Sequence, residues 1–117
     1  MPYMLLVMEP NGQRKTRSDA EGREVYDRMV RFGEDLRSRG LLIASESLSW
    51  GPDTARVDVR DGRRRVLDGP FAEAKEIIGG FFLVDCATRE DAIAIAAQCP
   101  AAEWCSIEVR SLGPCFQ

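Results

Sequence analysis

With 117 residues, 44% hydrophobic and 30% charged, the chain has the size and make-up of one globular domain, able to bury a core without disulfide or metal staples. Its net charge of −3 argues against nonspecific nucleic-acid binding, which wants a basic surface; Arg63-Arg64-Arg65 is read as the solvated end of a hairpin. No apolar run approaches a membrane span, and the opening lacks the basic and small-residue features of a signal peptide, so no membrane is expected as partner.

The cysteines are Cys86, Cys99, Cys105 and Cys115, with no C-x-x-C spacing and no histidine anywhere. A Cys/His metal site is therefore not expected, and free thiols in a reducing cytoplasm are. Without histidine there is no Ser-His or Cys-His pair. No glycine-rich phosphate cradle appears either, so no cofactor is expected.

Tyr3 to Met8 is apolar at every position, the pattern of a strand buried on both faces. Pro10 to Lys15 breaks it with turn residues and charge. Ser18-Asp19-Ala20-Glu21 reads as a capping box. Val25, Met29, Phe32 and Leu36 follow at helical spacing, and Gly40 suits the residue just past the helix end. A strand from Leu41 is expected to run as far as Trp50, closed by Gly51-Pro52-Asp53. Ala55, Val57 and Val59 alternate with charged residues, and Asp61-Gly62 signals a hairpin turn to a return strand, Arg63 to Leu67. Asp68-Gly69-Pro70-Phe71 is a turn, and Ala72 to Glu76 a loop or one helical turn. Ile77 to Val84 is a strand. Thr88 caps a second helix that Pro100 stops, and Cys105, Ile107 and Val109 mark a last strand.

Leaving out the return strand, the order reads β-α-β-β-β-α-β. With the return strand taken as an extra, this is the ferredoxin-like plan: a single α+β domain over residues 1–117, an antiparallel sheet with two helices on one face. The other face would expose Phe81 and Leu83, or Phe82 and Val84, with half of Tyr3 to Met8. A homodimer packed through the sheet faces is therefore expected. The alternative is that the tail, Leu112 to Gln117, folds over that face.

Glu46 is the first candidate for chemistry, because alternation sets it among Leu42, Ala44, Leu48 and Trp50. A carboxylate there is costly unless paired, with Arg56 as the expected partner, or protonated and fit for proton transfer. A structural ion pair, or an exposed strand end, carries more weight. The second candidate is the loop itself: Asp68, Phe71, Lys75, Glu76, Gly79 and Gly80 as one wall of a small polar pocket. Against it stands a rigid corner, with Asp68 in an Asx-turn and the glycines admitting a close backbone.

Asp68-Gly69-Pro70-Phe71-Ala72-Glu73-Ala74-Lys75-Glu76, followed by Gly79-Gly80-Phe81, resembles the signature of DGPF-domain proteins in the YCII-related family. Tyr3 to Val7, Gly40-Leu41-Leu42, Glu46-Ser47-Leu48 and Ser106 to Arg110 resemble other strands of that family. Ala74 departs from it, standing where threonine is usual. The resemblance implies a dimeric α+β barrel and carries little function: many members are uncharacterised, and some are encoded near sigma factors. The His-Asp pair proposed for some YCII-related proteins has no counterpart in a chain without histidine. The leading expectation is a binder of a small polar molecule near the loop. The others are a lyase- or isomerase-type enzyme with Asp68 or Glu46 as base and Lys75 or Arg56 steadying an anion, and a regulatory partner-binding module linked to sigma-factor systems.

Overall fold

In the computed structural model, which describes residues 1–117, the opening apolar run forms β1 (Pro2–Pro10). The chain continues through a short 3₁₀ turn (Gln13–Thr16), α1 (Asp19–Ser38), β2 (Leu42–Ser47), β3 (Ala55–Arg60) and β4 (Arg63–Asp68). It ends with β5 (Glu76–Asp85), α2 (Arg89–Gln98), a second 3₁₀ turn (Pro100–Glu103) and β6 (Ser106–Ser111). Four strands form one antiparallel sheet in the order β2-β5-β1-β6, with β1 and β5 at the centre. That is the ferredoxin-like α+β arrangement. The two strands apolar at most positions hold the middle, where neighbours cover both edges.

The helices cover one face. Tyr3, Leu5 and Val7 of β1 and Phe82 and Val84 of β5 form the core there with Phe32 and Leu36 of α1 and Ala92, Ile95 and Ala96 of α2. Phe32 meets Phe82 edge to face at 5.1 Å between ring centroids. The capping box forms: Ser18 N donates to Glu21 Oε1 at 2.9 Å, and Glu21 N donates to Ser18 Oγ at 3.1 Å. Gly40 leaves the helix at φ 73, a conformation its missing Cβ permits. At Thr88, the hydroxyl accepts from Asp91 N and starts α2.

Two expectations need correction. The strand beginning near Leu41 ends at Ser47, not Trp50, so Trp50 lies in the following loop. The inserted element is also a whole hairpin rather than one extra strand: β3 and β4 pair only with each other, outside the main sheet. The physical reason is their composition. Arg56, Asp58 and Arg60 make one side of β3 charged, so it cannot displace the apolar β5 from the sheet. Val57, Val59 and Val66 on the hairpin stay exposed. The radius of gyration, 16.1 Å, exceeds the roughly 13–14 Å of a compact chain this long, as an outlying ribbon requires.

The sheet face away from the helices carries Met4, Leu6, Met8, Phe81 and Leu83, all half-buried, and the exposed Ile78. The tail does not shelter there: Leu112 to Gln117 is exposed throughout, with Phe116 at 86%. No helix is long and apolar enough to cross a membrane.

Candidate functional site

The Asp68–Phe71 corner is built from the residues around it. Phe71 is buried, with Trp50 edge-on at 5.7 Å and the Arg56 guanidinium 3.9 Å above its ring. Asn11 ties the loop down: its Nδ2 donates to Phe71 O at 3.0 Å and Ala74 O at 2.8 Å, and its Oδ1 accepts from Trp50 Nε1 at 3.1 Å. Arg56 pairs with Glu73 at 3.1 Å, not with Glu46. Glu46 faces Phe81 across β2 and β5, on the side without helices, and is exposed. Asp68 ends β4 opposite Ala55; it is exposed and forms no Asx-turn hydrogen bond. Lys75 and Glu76 are exposed as well.

The main cavity lies elsewhere. It opens between α1 and the sheet, with a volume of about 720 Å³, within the size range of small-molecule sites. Val7, Val25, Met29, Leu42 and Phe82 supply apolar wall. Gly79, Gly80 and Glu46 border it, while Asp68, Arg56, Phe71, Lys75 and Glu76 do not.

Glu9, Arg14, Arg17 and Trp104 make one end polar. Glu9 continues the buried side of β1 after Tyr3, Leu5 and Val7 and is only 7% exposed. Its partner comes from the 3₁₀ turn after β1: Arg14 Nε lies 2.5 Å from Glu9 Oε1, and Arg14 Nη2 donates to Gly79 O at 3.3 Å. That oxygen is buried, and the Arg14 guanidinium is its ionic partner.

Both glycines of the pair are needed for this packing. The β1–β5 register slips between Val7 and Met8, leaving Gly79 as the bulged residue. A Cβ on Gly79 would stand 2.6 Å from Glu9 Oε2, so the bare backbone makes room for the carboxylate. A Cβ on Gly80 would stand 2.8 Å from the backbone oxygen of Glu46, so that glycine admits β2. One glycine thus serves the site and the other the sheet.

Arg17 and Arg28 both sit over the Trp104 ring, at 5.7 and 5.3 Å from its centroid, and Arg28 is anchored by Glu103 at 2.5 Å. Burial first, and then the charge of Glu9, pushes the Cys105 thiol up, which makes it a poor nucleophile. No three Cys, Asp or Glu side chains gather in a way that could hold a metal ion.

The YCII-related domain matches residues 1–114, nearly the whole chain. The chain belongs to the YCII-related family. Among curated proteins it is similar to an uncharacterized protein of Rhizobium meliloti (strain 1021), 47% identical over 47 residues, a stretch that spans 38% of each chain. The printed description of that relative assigns no activity.

In this YCII-related chain the sequence pattern drew attention to Glu46 and passed over Glu9. The test applied to Glu46, a carboxylate in phase with apolar strand positions, identifies Glu9 better, because Tyr3, Leu5 and Val7 are the strictly buried set. Arg14 sat in a segment read only as a break, and Arg17 just past it was given no role. Their chemistry depends on the turn that carries them back over β1.

Proposed function

We propose that the protein binds a small amphipathic molecule in the cavity between α1 and the sheet. The apolar body lies against Val7, Met29 and Phe82, and the polar head meets the charged end lined by Glu9, Arg14 and Arg17. One observation carries this reading: a cavity of about 720 Å³ between α1 and the sheet, apolar along Val7, Met29 and Phe82 and charged at the end lined by Glu9, Arg14 and Arg17. The Asp68–Phe71 run, taken as the mark of a DGPF subgroup, acts here as a scaffold corner that holds the β4–β5 turn. A lyase- or isomerase-type reading moves with the cavity: Glu9 is the buried carboxylate bordering it, and Asp68 leaves that role.

A library of small amphipathic compounds, screened by thermal shift, tests the reading. Saturation at a hundred times Kd stabilises by about 2.7 kcal/mol. Hits whose binding perturbs the amides of α1 and β5 by NMR support the cavity; hits that perturb only other regions refute it.

We further propose that two copies pair through the sheet faces left open by the helices, burying Met4, Leu6, Phe81 and Leu83. Support comes from the breadth of that apolar face and from a tail that leaves it uncovered. A monomeric mass by light scattering at micromolar concentration ends this proposal. The four unpaired thiols suit the cytoplasm as the compartment.

A further inference from the structure

The β3–β4 hairpin has an apolar side that its own domain does not cover. Pairing sets Val57 opposite Val66, Val59 opposite Arg64 and Ala55 opposite Asp68, so these six share one side of the ribbon. Val57, Val59 and Val66 are each more than half exposed. Arg56 and Leu67 share the other side, and there the Arg56 guanidinium lies 3.9 Å from the centre of the buried Phe71 ring. The valine side is therefore turned away from the domain that carries it. A two-stranded hairpin alone in water is marginally stable at best, and an exposed apolar patch on one marks a surface that meets another molecule.

The second open surface of the domain has the matching character. On the sheet face without helices, Met4, Leu6, Phe81 and Leu83 form an apolar centre. Glu46 on β2, opposite Phe81, and Glu108 on β6, opposite Leu6, stand at its two margins, exposed and in no ion pair. The hairpin carries the complementary charge. Residues 55–68 hold five arginines and three aspartates, +2 in a chain of −3, which leaves −5 on the rest. Arg64, on the valine side, pairs with no carboxylate.

Shape and area point to the same occupant. The molecule measures 46 × 41 × 20 Å, too thin for the ribbon to stand up from the layers, so it runs outward in their plane. A second copy stacked on the open sheet face lies within its reach. Four strands about 4.8 Å apart, about six residues long at 3.3 Å each, give that face roughly 400 Å² in plan. That is small beside the about 800 Å² of accessible surface that each partner in a stable complex buries. The ribbon adds about half as much again.

Resting on the sheet-face dimer proposed above, we propose that the β3–β4 hairpin is an arm that clasps the second copy. Val57, Val59 and Val66 lie on the margin of the other copy's open sheet face, and Arg64 meets a carboxylate there, Glu46 or Glu108.

Sedimentation velocity of the full chain over a concentration series tests this. The wild type should be a dimer at micromolar concentration. Val57→Thr with Val66→Thr keeps the size and strand preference of both side chains, and should weaken dimerisation about tenfold or more, because four valines per dimer lose apolar cover. Arg64→Glu should weaken it too, and adding Glu46→Arg and Glu108→Arg to Arg64→Glu should restore it. A wild-type dimer that the hairpin substitutions leave unchanged overturns the arm and leaves the sheet-face dimer standing. A wild-type monomer overturns both. Hydrogen exchange needs no substitution and decides if a variant fails to fold: the β3–β4 amides should exchange more slowly as the wild-type dimer forms, and exchange independent of protein concentration overturns the clasp.

Discussion

Gly80→Ala adds one methyl group where the structure has no space for it. The new Cβ would stand 2.8 Å from the backbone oxygen of Glu46 and 3.4 Å from Ser47 Cα. A comfortable C···O contact is about 3.3 Å or longer, so about 0.5 Å has to come from β2 shifting off β5. Rotating a side chain cannot supply it, because the obstacle is main chain. Overpacking of this kind costs about 1–3 kcal/mol. Replacing glycine also restricts the unfolded chain, which returns about 0.4–1 kcal/mol. The net expectation is a loss of about 1–2 kcal/mol. In urea, where the slope for a small protein is about 1–3 kcal/mol per molar, the midpoint should fall by about 0.5–1 M. Gly22→Ala is the matched control: it lies inside α1, nothing is within 4 Å of its added Cβ, and it should gain about 0.8 kcal/mol from helix propensity. A Gly80→Ala midpoint equal to or above wild type would refute the close approach of β2.

Asn11→Ala removes three hydrogen bonds around the corner, two to the Phe71 and Ala74 carbonyls and one from Trp50. Partial exposure discounts them to about 2 kcal/mol in all, with a red-shifted Trp50 emission; a loss under about 0.5 kcal/mol would mean the loop holds itself. Ser18→Ala should cost about 1 kcal/mol at neutral pH through the lost cap. Hydrogen bonds from the Ser18 backbone and side chain hold the Glu21 carboxyl below its ordinary 4.5. Its contribution is therefore present above that value and lost as pH falls through the depressed one. The Ser18→Ala penalty should shrink as pH falls below the ordinary carboxylate range, and a penalty independent of pH contradicts the assignment. Burial pushes the Cys99 thiol up to about 11, so a disulfide reagent at about pH 8 should modify exposed Cys115 first and Cys99 only on unfolding. Rapid native-state labelling of Cys99 in a Cys115→Ser variant would count against its burial.

The sheet and its helices were legible because their signals are local and repeat. Ser18-to-Glu21 named a cap that forms, Asp61-Gly62 a turn whose residues both take positive φ, and Gly40 a helix end. The glycine pair was read correctly as a place of close approach, though not which group approaches each member. Asp68, Phe71, Lys75 and Glu76 do not border the α1 cavity, for a physical reason. The dense motif Asp68 to Glu76 is conspicuous, but its conspicuous residues serve Phe71 and a turn. Glu9, Arg14, Arg17 and Trp104 are scattered over nearly the whole chain. Only the path of the first 3₁₀ turn and the packing of Trp104 bring them together, and no spacing rule encodes that. The pairing of Arg56 was missed for a related reason: it assumed that β3 neighbours β2, whereas the hairpin stands apart.

That separation has a practical side. The four-stranded sheet closes its hydrogen-bond ladder without β3 and β4, and the hairpin turn, Asp61-Gly62, lies at the tip of an exposed ribbon. Exposed loop tips are where chains accept insertions best. A fluorophore-bearing peptide or a small folded module placed between Asp61 and Gly62 should lengthen the ribbon without entering the core or the α1 cavity. The domain thus offers a natural attachment point, away from the α1 cavity, from which the proposed binding can be watched.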